Sequence, residues 1–286
     1  MKYLFLSLFL LISGIIIAQP TPEIVRQMIS EGIKSLNITP ENIFKIENKV
    51  VNEVPVRIYY PSSEQQLPII YNVHGGALVA GDLETHENIS RRLANATNSI
   101  VVALDYRKAP ENPYPKSLED VVAIYSWIIN NQISIGGKKA PISIVSDSGG
   151  CLLVAALQIQ IKNQKLSQAI DKVVYINPAF DLRETNDDFY KLVIEWYLSR
   201  ADPNNELVSP ITANDFSVFS PCLIVVNEKD ILLPQGVDFS KKLNLLKIKN
   251  ELVTIKDEDH FGVYWPAAHP VINQAFDYSV KFLSGK

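Results

Sequence analysis

The chain has 286 residues, and its 27 lysines and arginines against 31 aspartates and glutamates give a formal net charge of -4. Its 47% hydrophobic and 20% charged residues are values of a globular protein and exclude global disorder. The acidic balance, without a long basic run, predicts no nucleic-acid partner. Two cysteines are too few for a disulfide scaffold, so we expect the hydrophobic core to stabilise the fold.

The first residues have the form of a signal peptide. A positive start at Lys2 is followed by an apolar run from Tyr3 to Ala18, and a small residue stands at the expected cleavage point. The run is shorter than the roughly 20 residues that span a bilayer. We therefore predict that residues 1–18 are a signal peptide and that the protein is secreted or periplasmic. The alternative is an uncleaved N-terminal anchor, which would make the membrane a partner.

Residues 19–286 are predicted to form a single α/β domain. From about residue 50, short β-branched runs alternate with longer helical patterns, which is typical of a mostly parallel sheet covered by helices on both faces. A hairpin is predicted for Ile46–Val51 and Val54–Tyr60. Core strands are predicted at Ile69–Val73, Ile100–Leu104, Ile142–Val145, Val173–Ile176, Leu223–Val226 and Leu252–Ile255.

Helical spacing of apolar residues predicts helices after Pro115 and over Pro234–Leu246 and Val271–Leu283. Two segments fall outside the regular alternation, residues 21–36 and residues 180–214, each with its own helical pattern. Long insertions in a compact domain are usually functional or mobile. We interpret both as cap material over a site, and the alternative is that they are extra helices packed on the body.

A strand, a sharp turn and a helix are predicted around Ser148. The run Ile142–Val145 leads directly into Ser146-Asp147-Ser148-Gly149-Gly150, and an apolar helical pattern begins at Cys151. Such a turn presents a serine at the carboxyl end of a sheet, with small residues two positions before and after it. Glycine is usual at the first of these positions, which is Ser146 here. The segment favours Ser148 as a nucleophile, and the alternative is an ordinary turn.

Consecutive glycines follow the predicted strand Ile69–Val73, in His74-Gly75-Gly76-Ala77. A loop of this kind turns its N–H groups towards an anion. In acyl transfer the amides of Gly75 and Gly76, with that of Gly149, hold the oxyanion of the tetrahedral intermediate. We interpret His74 as a structural hydrogen-bonding residue, and we expect neither a metal nor a cofactor.

A serine nucleophile needs a base, and the base needs an orienting group. Asp230 and His260 each lie just past the carboxyl end of a predicted strand, where open α/β sheets place their sites. We interpret His260 as the base and Asp230 as the group that orients it. The carboxylates of residues 257–259 stay open as alternatives to Asp230. Two of the four histidines, His86 and His269, lie in helical or loop sequence and are predicted to be surface residues.

Five segments carry a family resemblance: His74-Gly-Gly-Ala, Asp105-Tyr-Arg-Lys-Ala-Pro-Glu-Asn-Pro-Tyr-Pro115, Ser146-Asp-Ser-Gly-Gly150, and those around Asp230 and His260. Together they resemble the hormone-sensitive-lipase family of carboxylesterases, within the α/β-hydrolase superfamily. The second segment is the most specific, because it is long and ungapped.

The resemblance extends from about Val54 to the C-terminus. It implies an α/β-hydrolase fold with Ser148 as nucleophile, His260 as general base and acid, and Asp230 as its orienting carboxylate. It further implies an oxyanion hole of Gly75, Gly76 and Gly149 amides, and a helical cap.

The chain departs from the family pattern at several positions. Ser146 replaces the first elbow glycine, Ala77 replaces the last glycine of His-Gly-Gly-Gly, and Leu78 stands where an aromatic residue is common. Ile231 replaces a proline, and His260-Phe-Gly replaces His-Gly-Phe. None of these changes removes a catalytic side chain. We therefore expect an active enzyme with a crowded elbow that affects its rate and its acyl pocket.

The leading hypothesis is a metal-free serine carboxylesterase that acts on short- to medium-chain esters of modest size. Leu78, Trp196, Tyr197 and Tyr264 are predicted to line the substrate pocket, and packing in the core is the alternative for the aromatic residues. A serine peptidase of the same superfamily stays open. So does a non-catalytic binding protein on a hydrolase fold, although retention of His260 argues against it. The oligomeric state cannot be inferred from the sequence.

Overall fold

A computed structural model describes residues 20–35, 38–162, 169–260 and 273–285. The predicted signal peptide and Tyr264 lie outside these residues. The strands are β1 Lys45–Val51, β2 Val54–Tyr60, β3 Ile69–Val73, β4 Ile100–Leu104, β5 Ile142–Asp147, β6 Ile170–Ile176, β7 Cys222–Asn227 and β8 Asn250–Ile255. The α-helices are α1 Pro22–Ser35, α2 Glu87–Thr97, α3 Lys116–Asn131, α4 Ser148–Ile161, α5 Asp188–Leu198, α6 Leu233–Leu245 and α7 Asn273–Ser284.

The strands form one eight-stranded sheet in the order β1-β2-β4-β3-β5-β6-β7-β8. Strand β2 runs antiparallel to both of its neighbours, and the strands from β4 to β8 are parallel. The predicted hairpin and mostly parallel sheet are therefore confirmed. Because β3, β5, β6, β7 and β8 are parallel, the loops that follow them meet at one edge of the sheet.

Buried side chains form two clusters, one on each face of the sheet. The larger cluster packs α3, α4, α5 and α6 against one face, and the smaller one packs α2 and α7 against the other. Helix α4 is buried on nearly all sides, which explains why it is apolar all round instead of amphipathic. Within the described stretches, no helix is long and apolar enough to cross a bilayer.

Strand β8 differs from its prediction as a fully buried core strand. It pairs with β7 at the end of the sheet order, and Leu252 is 37% exposed while Ile255 is buried. The apolar run Leu252–Ile255 resembles those of the central strands, but a strand at the sheet edge has less covering it. Its position in the strand order, which local composition does not encode, sets this exposure.

Helix α2 was not predicted from the sequence pattern. Its position explains why His86, at its start, is buried. The helix buries Ser90 and Arg92 beside Leu93 and Ala94, so its inner face carries few large apolar residues. His86 immediately precedes it and is only 3% exposed. The prediction that His86 is a surface residue is therefore wrong. His269 lies outside the described residues.

Candidate active site

Ser148, His260 and Asp230 lie in one hydrogen-bonded line. Oγ of Ser148 is 2.8 Å from Nε2 of His260, and Nδ1 of His260 is 2.8 Å from Oδ2 of Asp230. Both are ordinary hydrogen-bond distances. The line gives a hydroxyl a base and gives that base an orienting carboxylate, which is the arrangement needed to activate a serine.

Asp230 lies in the turn between β7 and α6, with its side chain 0% exposed. One carboxylate oxygen accepts from the N–H of Leu232 at 2.9 Å, which leaves the other for His260. Among the alternative carboxylates, Asp257 is 82% exposed at its side chain and pairs with Lys229. The geometry therefore selects Asp230, because it is the carboxylate that reaches Nδ1 of His260.

Two buried asparagines, not identified from the sequence, fix the backbone that carries His260. The side-chain amide of Asn177 donates to the carbonyl of His260 at 3.1 Å, and its oxygen accepts from the N–H of Asn227 at 3.0 Å. The side chain of Asn227 in turn donates to the carbonyl of Asp259. These residues lie at the carboxyl ends of β6 and β7, and that shared position is the signal that could have identified them.

The turn between β5 and α4, which carries Ser148, has a strained backbone. Ser148 has φ 48°, in the left-handed region, which costs an L-residue roughly 1–2 kcal/mol. A Cβ on Gly150 would lie 2.4 Å from the carbonyl oxygen of Val73 and 2.5 Å from that of His74. Helix α4 therefore approaches the end of β3 so closely that only glycine fits at this position.

We expect Gly150→Ala to destabilise the fold by about 3 kcal/mol, because the added methyl group meets backbone atoms that cannot rotate away. The matched control is Gly32→Ala in α1, where a Cβ meets nothing within 4 Å. Alanine is preferred to glycine in a helix by about 1 kcal/mol, so the control gains stability. Denaturant unfolding followed by fluorescence measures both. Equal stability of the two variants would contradict the close approach at the elbow.

The loop His74–Ala80, called the oxyanion loop below, lies against the elbow. The N–H of Gly75 donates to Oδ1 of Asp147 at 3.0 Å. This bond corrects the prediction for Gly75, because an amide that already has an acceptor is not available to an oxyanion. Gly76 has φ 111°, and a Cβ there would lie 2.2 Å from the carbonyl oxygen of Ala80.

The N–H groups of Gly76, Ala77 and Gly149 have no acceptor within the described part of the chain. A Cβ on Gly149 would lie 3.3 Å from the nitrogen of Leu78, so the oxyanion loop and the start of α4 are in contact. These three amides are therefore candidate donors to an oxyanion. Ala77 thus takes the place of Gly75 as a candidate oxyanion donor, because the Gly75 amide is bound to Asp147. The sequence did not indicate this exchange.

His74 supports the oxyanion loop from inside. Its Nδ1 is 2.6 Å from the carbonyl oxygen of Gly75, and its ring stacks on Tyr106 at 4.3 Å. Burial, with the charges of His86 and Lys108, holds the pKa of His74 well below its ordinary value, so the ring is neutral at pH 7. The neutral ring donates to Gly75, as expected of a structural residue. No cluster of potential metal ligands occurs among the residues that the structure describes.

A family model described as alpha/beta hydrolase fold matches residues 70–263 of the chain. The chain belongs to this family. A carboxylesterase named NlhH from Mycobacterium tuberculosis is 26% identical over 264 residues, covering 82% of this chain and 83% of that protein. An arylesterase from Saccharolobus solfataricus is 29% identical over 204 residues, 67% of each chain.

Solved structures of esterases share this α/β-hydrolase fold. An esterase from the hyperthermophilic archaeon Pyrobaculum calidifontis superposes with a TM-score of 0.84 at 25% identity, covering 93% of this chain and 94% of that chain. A thermostable carboxylesterase from a metagenomic library gives a TM-score of 0.81, with 93% and 96% of the two chains covered. The predicted fold class and the resemblance to hormone-sensitive-lipase relatives are confirmed.

The α/β-hydrolase elbow accommodates Ser146 in place of the usual glycine. Ser146 is 1% exposed, and its Oγ lies 3.4 Å from the carbonyl oxygen of Val174 and 3.4 Å from Sγ of Cys151. The hydroxyl therefore has polar neighbours, and the distances indicate no clash. Ala77 and Leu78, by contrast, have φ of 54° and 64°, so the departures in the oxyanion loop carry backbone strain.

The three predicted pocket residues that the structure describes have different environments. Leu78 is 3% exposed and lies against Gly149, and Trp196 is partly buried against the larger core cluster. Tyr197 is 0% exposed, and its ring meets that of Tyr114 edge-on with centroids 6.1 Å apart. Tyr197 therefore packs in the core, which was the alternative to a place in the pocket. The contribution of Leu78 and Trp196 to a pocket stays a prediction.

Tyr190 of α5 is a further residue of the site that the sequence did not identify. Its ring meets that of His260 edge-on, with centroids 6.3 Å apart. Burial, with the charges of Asp230 and Asp187, raises the pKa of Tyr190, so the phenol stays neutral. One residue of the segment 180–214 therefore borders the triad.

Arg26 fixes α1 to the oxyanion loop and to the segment Asp105–Pro115. Its guanidinium donates to the carbonyl oxygen of Val79 in the oxyanion loop at 2.9 Å and to that of Ala109 at 3.0 Å. It also binds both carboxylate oxygens of Glu111. Arg26 therefore connects α1 with both the segment Asp105–Pro115 and the oxyanion loop beside Ser148.

Proposed function

We propose that the protein is a serine carboxylesterase that hydrolyses short- to medium-chain carboxylic esters of small molecules through an acyl-enzyme intermediate. The observation that carries this proposal is the line Ser148–His260–Asp230, with 2.8 Å at each step. The amides of Gly76, Ala77 and Gly149, which have no acceptor among the described residues, belong to the two segments that meet beside Ser148. The line activates a nucleophile, and the amides stabilise the charge that its attack creates.

In the first half-reaction, Oγ of Ser148 attacks the ester carbonyl while Nε2 of His260 takes the hydroxyl proton. The carbonyl oxygen becomes an oxyanion that accepts hydrogen bonds from the amides of Gly76, Ala77 and Gly149. When the intermediate collapses, the C–O bond to the alcohol breaks and His260 returns the proton to the leaving oxygen. The products are a free alcohol and an acyl group esterified to Ser148.

In the second half-reaction, water takes the place of the alcohol. His260 removes a proton from the water as the water attacks the acyl carbon. A second tetrahedral intermediate forms, and its oxyanion accepts hydrogen bonds from the same amides. Collapse releases the carboxylic acid, and the proton returns to Oγ of Ser148. Asp230 accepts the Nδ1–H of His260 throughout and so holds the imidazole in the tautomer that leaves Nε2 free to take a proton, as in other triads.

The substrate class is supported by the names of similar proteins and by the position of helix α5. The similar proteins bear the names carboxylesterase and arylesterase, and each is matched over two thirds or more of its length. Helix α5 brings Tyr190 to 6.3 Å from the ring of His260, so an aromatic side chain limits the space next to the triad. A pocket bordered in this way favours esters of modest size.

Hydrolysis of a p-nitrophenyl acyl series from acetate to palmitate by the full-length protein tests the proposed function. We expect kcat/KM to peak at a short or medium chain and to fall at palmitate. A fluorophosphonate reagent should add one phosphonyl group to the peptide that contains Ser148, as shown by mass spectrometry. Folded protein with no ester hydrolysis and no labelling at Ser148 would contradict the proposal.

Two other functions use the same scaffold and are separated by the same assay. A serine peptidase would react with the fluorophosphonate at Ser148 but would cleave peptide amides faster than the acyl series. A non-catalytic binding protein would show neither labelling nor turnover. The intact line to His260 supports catalysis over binding alone.

We also propose that residues 1–18 direct export to the periplasm or the medium. The support is the positive Lys2, the apolar run after it and the small residue Ala18. Expression of the full chain in a bacterial host, followed by intact-mass analysis, should give a protein that begins at Gln19. Retention of Met1 in a membrane fraction would identify the segment as an anchor instead.

A further inference from the structure

A second carboxylate and imidazole lie beside the nucleophile without belonging to its triad. Asp147, which precedes Ser148, and His86, which precedes α2, are each 3% exposed. Nε2 of His86 lies 3.3 Å from Oδ1 of Asp147 and 3.5 Å from its Oδ2. The mechanism of ester hydrolysis assigns no role to either residue.

Asp147 connects the nucleophile elbow to the oxyanion loop. Its Oδ1 accepts the N–H of Gly75 at 3.0 Å, and a Cβ on Gly75 would lie 2.3 Å from its Oδ2. Gly75 directly precedes Gly76 and Ala77, whose amides are the proposed oxyanion donors. One carboxylate thus contacts the residue next to those donors, while its own backbone continues into Ser148.

His86 is itself firmly held. Its Nδ1 lies 3.0 Å from Oγ1 of Thr85, and the N–H of Thr85 donates to Asp82 at 2.7 Å. The carbonyl oxygen of His86 accepts from Oγ of Ser90 at 3.0 Å, and that hydroxyl accepts from Asn72 of β3 at 2.9 Å. The imidazole therefore has a fixed position relative to the strand that leads into the oxyanion loop.

A buried carboxylate is stable only when hydrogen bonds and a partner compensate for its lost hydration. We propose that His86 and Asp147 are positioning residues for the oxyanion hole, fixing the oxyanion loop relative to Ser148. This inference rests on the proposed esterase function. Without a donor at the position of Nε2 of His86, Asp147 turns towards another donor, and its hold on Gly75 weakens.

The expected kinetic effect is on kcat rather than on KM. The donors act on the oxyanion, which exists only in the transition state and the tetrahedral intermediate, so substrate binding changes little. Losing one oxyanion donor outright costs about 10²- to 10³-fold. Because a displaced loop weakens the donors without removing them, we expect a loss of about 10- to 100-fold in kcat.

A pair of similar variants separates this role from simple packing. His86→Gln places an amide nitrogen near the position of Nε2, where it donates to Asp147. His86→Asn places its amide near the position of Nδ1, away from Asp147. We expect His86→Gln to keep kcat on p-nitrophenyl butyrate within about 3-fold of wild type, and His86→Asn to lose the 10- to 100-fold stated above.

Ser240→Ala controls for lost stability. Ser240 is buried, and its hydroxyl donates to Asn250 at 2.7 Å between α6 and β8. Its loss should lower the unfolding temperature without changing kcat per active site, counted by fluorophosphonate labelling. The affinity of a trifluoromethyl ketone, which forms an oxyanion on Ser148, should fall in parallel with kcat in the His86→Asn variant.

Hydrogen exchange provides a readout that does not depend on esterase activity. In the wild-type protein, the amide of Gly75 should be protected by its bond to Asp147, and in His86→Asn the peptide covering the oxyanion loop should exchange at least about 10-fold faster. Wild-type turnover tests the proposed function, whereas loop exchange tests the pair. Equal kcat and equal exchange in the Gln and Asn variants would overturn the inference, as would a rise in KM with unchanged kcat.

Discussion

Ser148→Ala is expected to lower kcat by about 10⁶-fold, the loss typical of a serine hydrolase without its nucleophile. The hydroxyl is the atom that forms the acyl-enzyme, and its hydrogen bond to His260 is 2.8 Å long. The rate that remains would come from the oxyanion donors and substrate binding. Initial rates on p-nitrophenyl butyrate measure the change, with protein preparations free of host esterase.

Ser146→Ala is the matched control for this prediction, since it makes the same substitution in the same buried elbow. The Ser146 hydroxyl has only 3.4 Å contacts, so its removal should change kcat by less than about fivefold, the equivalent of roughly 1 kcal/mol. A comparable collapse in both variants would indicate a disrupted elbow. Retained turnover in Ser148→Ala would exclude Ser148 as the nucleophile.

Asp230→Asn is expected to lower kcat by about 10⁴-fold, as the equivalent change does in a Ser-His-Asp triad. Asparagine keeps the oxygen that accepts from the N–H of Leu232 at 2.9 Å, so the fold around it is preserved. The new amide nitrogen faces Nδ1 of His260 and donates to it. The imidazole then carries its proton on Nε2, where it can no longer accept one from Ser148.

Asp257→Asn is the control, because it makes the same chemical change in one of the three alternative carboxylates. Asp257 is 82% exposed at its side chain and pairs with Lys229, so we expect kcat to be unchanged. Rates on p-nitrophenyl butyrate, with unfolding temperatures for both variants, provide the comparison. A large loss in Asp257→Asn with normal turnover in Asp230→Asn would reverse the assignment.

Much of the fold could be predicted from local patterns. The hairpin of Ile46–Val51 and Val54–Tyr60 was predicted because its second strand alternates, and alternation along a strand reflects which face is covered. The central strands were predicted from short continuous apolar runs, and the long helices from apolar residues at helical spacing. Helix α2 was not predicted, because its buried face includes Ser90 and Arg92 and so has a weak apolar period.

The predicted site residues were brought together, with corrections that depend on contacts across the fold. Ser148, Asp230 and His260 each follow a strand, and parallel strands bring such positions to one edge. The amide of Gly75, by contrast, is taken by Asp147, which is 72 residues away in the chain. No pattern around the glycines indicates that acceptor.

Sequence by itself determined the class of the fold, the elbow and the order of the triad, because each depends on short-range periodicity, glycine or position after a strand. Tertiary structure decided which carboxylate reaches His260, which amides stay free, that His86 is buried and that β8 lies at the sheet edge. These depend on distances between residues far apart in the chain. Such distances are set by how the layers pack, which local sequence does not record.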